Sequence, residues 1–500
     1  MPFEYYSTRS SDTPVSFEQA VIQGLAPDGG LYLPETVSNP PADFLNSWKD
    51  LSFQDLAVEI MSLYIPESEV PRADLRSIVE KSYSTFRSKD VTPVIELNKE
   101  KQLYLLELFH GPTYAFKDVA LQTLGNLFEY FLSRKNANKA PNASDRDVIT
   151  VIGATSGDTG SAAIYGLRNK KDVNVFILYP TGRISPIQEQ QMTSVLDDNV
   201  HTVSVPGTFD DCQDNVKTLF ADVAFNDKYH VGAVNSINWS RILSQMTYYF
   251  KAYFALNTKE KVTFVVPSGN FGDILAGYYA KEMGLPIDLV IATNQNDILY
   301  RFLKDGSYSK DPEVHATLSP AMDILVSSNF ERFLWHAVYE TVAKKNRAEA
   351  GKVLNGFMSD LKTKGTFTVP QEVLQKARSI FSAEHATDSD TIDAIRTTYT
   401  ELLPKYVVDP HTAVGVHAAL VMQKADRINT EKVVVLSTAH PAKFSEAVTK
   451  ALDSESSFNF ENDVLPEEFK KMMLAETKKI FANDTSAEEI KRIVTATLGY

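Results

Sequence analysis

The sequence predicts an α/β protein in which parallel sheets are flanked by helices, and three observations lead there. Short β-branched runs alternate with helical patterns from about residue 148 onward: VITVIG (148–153), VNVFILYP (173–180), VHTVSVPG (200–207), VTFVVP (262–267), DLVIAT (288–293) and VVVLST (433–438). Continuous apolar strands of this kind suit a sheet covered on both faces, and the alternation is that of βαβ units. Some of the runs end directly in a glycine-rich turn that opens a helical pattern, and such sheets bind ligands at the carboxyl ends of their strands. Finally, 500 residues with 43% hydrophobic content are enough for several domains and one enclosed cleft between them.

Along the chain, residues 1–98 read as a mostly helical first domain. A capping-box pattern at Ser16 and Gln19 starts a helix, Gly29 and Gly30 mark a turn, and more helical sequence follows. Residues 99–302 carry most of the strand runs and form the α/β core. From 303 to 405 the chain is rich in Lys, Glu, Ala and Ser, with amphipathic spacing through FERFLWHAVYETVAKK. No strand of comparable strength stands there, so a helical insertion is expected. Residues 406–500 return to the core through VVVLST and finish in helices.

The 64 acidic residues against 50 Lys and Arg give a net charge of -14 without a long run of like charge, which argues against nucleic acid as a partner. An anionic substrate would have to be held by a local basic pocket. A single cysteine, Cys212, allows no internal disulfide and no zinc spacing, and a cytoplasmic location is expected. The opening residues MPFEYYSTRSSD lack an apolar signal core, and no window approaches the roughly 18 apolar residues of a membrane span. His411 and His417 do not share a helical face, so no metal is expected.

Three segments carry chemistry. HGPTYAFKD (110–118) follows the strand-like LYLLEL and places Lys117 at a strand-to-helix turn. An amine there can be desolvated below its reference pKa of about 10.4, as an imine-forming lysine requires; the alternative is a surface lysine in a first helical turn. GATSGDTG (153–160) combines glycines, hydroxyls and a helix start, the parts of an anion loop, though a plain N-cap turn would need only one of those hydroxyls. PSGNFGD (267–273) is a second strand-to-helix turn rich in glycine. Asp273 is awkward beside a phosphate; it either stabilises the helix start or touches the ligand. Together these are the parts a pyridoxal phosphate site needs: an imine partner, a carboxylate clamp and a phosphate cradle.

With those residues in view, the chain resembles the threonine synthases, of the fold-type II pyridoxal phosphate enzymes. HGPTYAFKD is similar to their cofactor-lysine segment and GATSGDTG to their substrate-carboxylate loop. TGRISPIQEQQM (181–192), PGTFDDCQ (206–213), NSINWSRI (235–242), LSPAMDI (318–324), STAHPAKF (437–444) and the N-terminal stretch 7–35 follow in the expected order. The middle insertion resembles the longer-chain branch. Where the family reads STRG, this chain has Ser7, Thr8, Arg9 and Ser10.

The resemblance implies that Lys117 carries pyridoxal 5'-phosphate and acts as the catalytic base. Gly269, Asn270, Phe271 and Asp273 then lie in the cofactor-phosphate loop, and Thr438 faces the pyridine nitrogen. Thr155, Ser156, Asp158 and Thr159 surround the substrate carboxylate, Asp158 through its backbone. Arg241 and Lys443 are the candidates for the substrate phosphate, with Arg9 and Arg183 behind them. His110 and His440 stay outside this set as structural histidines. The implied reaction turns O-phospho-L-homoserine and water into L-threonine and phosphate, in a monomer with no membrane partner. A phospho-lyase or dehydratase of the same fold, or a noncatalytic scaffold, are the competing readings.

Overall fold

The computed structural model describes residues 3–10, 13–141, 143, 145–402 and 405–499. Met1, Pro2, Ser11 and Asp12 of the N-terminal segment read above lie outside the described residues. The chain opens with an antiparallel pair, β1 (Tyr5–Ser7) and β2 (Tyr32–Pro34), packed among helices Phe17–Gln23, Phe53–Ser62 and Arg72–Tyr83. The expected capping box is present: Ser16 Oγ accepts the Gln19 N–H at 3.1 Å, and Gln19 Oε1 accepts the Ser16 N–H at 3.1 Å.

Two open sheets follow, and the chain passes back and forth between them. β3 (Val94–Asn98) and β4 (Leu103–Glu107) begin the larger one. The chain then crosses to a smaller sheet made of β5 (Ile149–Ala154), β6 (Val173–Pro180), β7 (Val200–Val205) and β8 (Val231–Gly232). It returns through β9 (Val262–Pro267) and β10 (Ile287–Thr293), makes a small antiparallel pair from β11 (Ser307–Ser309) and β12 (Thr366–Thr368), and rejoins the larger sheet as β13 (Phe381–His385) and β14 (Lys432–Ser437). β15 (Ile480–Phe481) closes the edge of the smaller sheet. The larger sheet has the order β13-β10-β9-β14-β4-β3 and is parallel except for β3 against β4; the smaller, β15-β7-β6-β5-β8, is wholly parallel. The α/β architecture with flanking helices is therefore as expected.

Within the 303–405 stretch, expected to be mostly helical, β13 is a strand of the larger sheet, and β11 and β12 form their small pair. FSAEH has no β-branched residue and sits at a sheet edge, where one neighbour, β10, supplies all of its ladder. Propensity cannot announce such a strand. The helices of that region are Phe330–Glu340, Arg347–Lys364, Gln371–Ile380 and Asp388–Thr400.

Helix Lys117–Lys135 is buried along most of its length, through Val119, Leu121, Leu124, Leu127, Phe128 and Phe131 and also through the polar Gln122, Thr123 and Asn126, and packs chiefly against other helices. It meets helix Asp158–Leu167 backbone to backbone: a Cβ on Gly125 would collide with the Gly166 carbonyl, and one on Gly166 with the Leu121 carbonyl. The first residues of both helices are thereby fixed across one cleft. No helix among the described residues is long and apolar enough to cross a membrane.

Candidate active site

The carboxyl ends of β4, β5, β9 and β14 converge on a cleft of about 410 Å³, whose wall includes Lys117, Asp158, Thr159, Arg241, Gly269, Asn270, Asp273 and Thr438. The volume suits a small organic ligand. Backbone bonds tie two of these ends together: the Phe116 N–H donates to the Thr438 carbonyl at 2.8 Å and the Leu108 N–H to the Ser437 carbonyl at 2.9 Å.

The turn that presents Lys117 is locked from behind. Asp118 is buried and accepts the Thr113 N–H and the Thr113 hydroxyl, both at 2.7 Å. A side chain on Gly111 would run into Asp118, so glycine is required there. Tyr114 adopts a left-handed backbone, φ 60°, a conformation that costs about 1–2 kcal/mol and is held by the Arg87 guanidinium 3.7 Å over its ring. Burial lowers the Lys117 amine to about 8; Lys443 and Arg241 push the same way, and Asp158 and Asp118 oppose them.

Asp158 begins its helix as a carboxylate in a buried network. Its Oδ1 accepts Lys443 Nζ at 2.7 Å and Gln188 Nε2 at 3.0 Å, and Lys443 Nζ also donates to the Thr113 carbonyl at 2.9 Å. Burial alone would raise the Asp158 pKa; the two neighbouring ammonium groups outweigh it and hold the carboxyl well below its usual range. Lys443 is thus a buried counter-ion behind Asp158, not an open cation on the cleft wall. The Asp158 carboxylate is committed to these partners, and its backbone stands at the start of the helix.

The hydroxyls of the GATSGDTG loop divide. Thr155 Oγ1 accepts the Gly157 and Gly160 N–H groups, each at 2.9 Å, so this hydroxyl braces the loop internally. Ser156 is exposed, and Thr159 is the one on the cleft wall. The side chain of Thr155 is therefore not offered to a ligand in the manner expected of it.

In the second loop, Gly269 faces the Ala321–Met322 backbone so closely that a Cβ would sit 3.1 Å from the Ala321 carbonyl. The Gly269 and Asn270 carbonyls accept the Ser327 hydroxyl at 2.6 Å and the Asn329 N–H at 3.1 Å. Phe271 caps the next helix in a left-handed conformation, φ 63°, and its ring packs on Phe330, Phe333 and Phe381. Its contribution to the cleft is backbone. Asp273 Oδ1 accepts the hydroxyls of Tyr248 at 2.5 Å and Tyr249 at 2.9 Å, while Oδ2 is buried with no partner.

Arg241 is buried, donates Nη1 to the Val234 carbonyl at 3.2 Å, and keeps an unpartnered Nε; burial draws it down to about 10. Arg9 and Arg183 are elsewhere: Arg9 grips Glu331 through two bonds at 3.0 and 2.9 Å, and Arg183 is exposed. His110 pairs with Glu107 at 2.7 Å and His440 accepts the Ala442 N–H at 3.2 Å, both structural roles. His411 was considered only as a metal ligand, yet it lines the cleft. Asp409 holds its Nδ1 at 2.7 Å, and its Nε2 accepts the Ala321 N–H at 3.1 Å, which pins the 318–324 segment over the glycine loop. The signal that could have found it is the Asp-Pro-His helix start.

These groups fit a phosphorylated pyridoxal. A lysine amine lowered by burial can bond its aldehyde, the unpartnered Ser268 Oγ and Asp273 Oδ2 flank a glycine-rich helix start suited to its phosphate, and Thr438 ends β14 on the cleft wall for its ring nitrogen.

Comparison with known proteins places the chain as a whole. Sequence profiles match for the threonine synthase N terminus over residues 4–83, for pyridoxal-phosphate-dependent enzymes over 87–350 and for the threonine synthase C-terminal region over 412–494. Threonine synthase of Saccharomyces cerevisiae is 57% identical over 487 residues, 95% of this chain and 94% of that one. That of Pseudomonas aeruginosa is 42% identical over 449 residues, 89% of this chain and 90% of that one. The crystal structure of yeast threonine synthase superposes with a TM-score of 0.95 at 56% identity, and the pyridoxal-phosphate-bound threonine synthase of Brucella melitensis with 0.88 at 38%; each covers 99% of both chains.

Proposed function

The chain belongs to the threonine synthase family of pyridoxal-phosphate-dependent lyases, and from that premise we propose how its own residues convert O-phospho-L-homoserine and water into L-threonine and phosphate. One observation carries the reading: the Lys117 amine, lowered to about 8, shares a cleft with a charge-compensated Asp158 and a buried arginine that has an N–H to spare. Bound there, pyridoxal 5'-phosphate supplies a conjugated sink for the electrons released at the substrate carbons. Lys117, Thr438, Ser268 and the 269–273 backbone would hold it.

Lys117 then does the proton work. Once its amine is free, it takes the proton from Cα, and later returns one there; an amine titrating near neutrality suits both directions. Cβ gives up a proton as the Cγ–O bond breaks and phosphate departs carrying one proton; Cγ takes up a proton to become the methyl group, and water gives its hydroxyl to Cβ and its other proton to the base. Thr159 and the N–H groups at the start of its helix receive the substrate carboxylate, and Lys443 makes this possible by cancelling the charge of Asp158. Arg241 meets the leaving phosphate with a charge-assisted bond. The walls of the cleft keep bulk water from the reactive carbons.

Incubation of the protein with O-phospho-L-homoserine, with phosphate, threonine and 2-oxobutyrate followed together, tests this. Phosphate and threonine in equal amounts support it; phosphate with 2-oxobutyrate would instead make the protein a phospho-lyase. Arg241→Met is expected to raise KM for O-phospho-L-homoserine by about 10- to 100-fold, the worth of one charge-assisted bond of 1.5–3 kcal/mol. An unchanged KM would remove Arg241 from the phosphate site. Because only the neutral Lys117 amine can bond the cofactor, its capture by cofactor-free chain, read by absorbance, should accelerate about tenfold per pH unit up to about 8 and level off above. We also infer a cytoplasmic monomer, a reading supported by the single buried cysteine, Cys212, and by likeness to the longer-chain branch; a dimer on size exclusion would correct it.

A further inference from the structure

Asp273 carries one oxygen that is doubly supplied and another that is empty. Oδ1 takes both tyrosine hydroxyls, whereas Oδ2 is buried without a partner, although the residue lines the cleft. It stands in the first turn of an eleven-residue helix, directly after the glycine-rich loop, and Ser268 Oγ at the other end of that loop is buried and unpartnered as well. A helix start with two unused polar atoms beside it is an anion site, and an ionised carboxylate is the one group there that opposes an anion. The groups that act on the carboxyl are Tyr248 and Tyr249, both on helix Trp239–Ala255; no cation among the described residues pairs with it. Lys443 compensates Asp158 across the cleft, but Asp273 has no such counter-ion.

On the reading that this cleft holds pyridoxal 5'-phosphate, we infer that Asp273 takes up one proton from solvent when the cofactor phosphate binds and, as a carboxylic acid, donates its Oδ2–H to a phosphate oxygen. The two tyrosines keep Oδ1 as the acceptor, which leaves Oδ2 as the atom to be protonated. Burial has already brought this carboxyl up to about 6, against the two hydroxyls that lower it, and a nearby dianion raises it further. A neutral carboxylic acid used as a donor in a dry site is a known device of enzyme active sites. Asp273 is on this account a positioning residue for the cofactor.

Proton uptake fixes the sign of a pH dependence. Cofactor affinity falls as pH rises above about 6, by up to tenfold per unit, until the bound acid itself ionises. Lys117 and the phosphate titrate in the same range, but both are common to native protein and Asp273→Asn, which keeps a neutral donor. The cofactor dissociation constant of each holoenzyme, read from release on serial dilution between pH 6 and about 8.5, therefore gives a ratio in which only Asp273 remains. The native-to-variant ratio is expected to climb with pH, and the phosphorus resonance of the bound cofactor to show in native protein a titration step that the variant lacks. A ratio independent of pH overturns the inference. Should Asp273→Asn not fold, Tyr248→Phe decides: it removes a donor to the ionised form, so the onset of cofactor loss must move to higher pH, and an unmoved onset counts against Asp273. A native protein that holds no cofactor at any pH would defeat the cofactor reading itself.

Discussion

Lys117→Ala is expected to lower threonine formation from O-phospho-L-homoserine by at least about 10⁴-fold, some 5.5 kcal/mol in the barrier, because one side chain supplies both the covalent anchor and the base. Alanine leaves the glycine loop, Thr438 and Arg241 in place, so the cofactor still enters, but its absorbance lacks the band of the lysine bond. Lys117→Arg separates charge from chemistry. It keeps a cation beside Asp158, yet a guanidinium neither bonds the aldehyde nor gives up a proton near neutrality, and it should be as inactive as alanine. Phosphate release persisting in either variant would mean that the base lies elsewhere on the cleft.

The second large effect is on stability. The Asp158–Lys443 pair has side chains 6% and 0% exposed, so solvent does little to screen it. Lys443→Met leaves a buried carboxylate without its main partner, a loss of about 3–5 kcal/mol, with the lower end favoured because the Lys117 ammonium remains nearby. Urea unfolding of the cofactor-free protein, in which the Lys117 amine is unbonded, measures it. The native carboxyl is depressed, so its stabilisation is in force above the unfolded pKa near 4 and is lost only in strong acid. In the variant the carboxyl protonates more easily, and the deficit should narrow as pH falls. Adding Asp158→Leu should recover much of the loss; if the single variant unfolds like native protein, the pair is not a structural element. In the single variant Asp158 turns to Lys117 alone, so the pH at which the amine becomes free should also rise.

The fold was legible because its strands have a local signature, and Lys117 was singled out on the same ground, its place at a strand-to-helix turn. Runs such as VTFVVP and VVVLST are strands wherever they are covered, and glycine loops between a strand and a helix announce a ligand at the strand end. What was not legible depends on partners far away in the chain. Lys443 reads as a free cation in HPAKF, and only the fold sets it against Asp158 and the carbonyl of Thr113, 330 residues distant. Thr155 reads as a ligand hydroxyl, but the turn of its own loop directs that hydroxyl onto Gly157 and Gly160. His411 does not read as a cleft residue because the bond its ring accepts, from the Ala321 N–H, joins segments 90 residues apart, and the Asp-Pro-His helix start marks only the turn that presents it. β13 was missed because an edge strand needs no β-branched run.

The bond from Phe116 to Thr438 has a consequence for biosynthesis of the protein. While the polypeptide is still leaving the ribosome, Lys117 emerges well before β14, Thr438 and Lys443, the counter-ion of Asp158. A nascent chain therefore cannot build the pocket one half at a time, and the buried charge of Asp158 waits for its neutraliser until Lys443 has been made. Cofactor capture reports that the chain has been made and folded at least as far as Lys443.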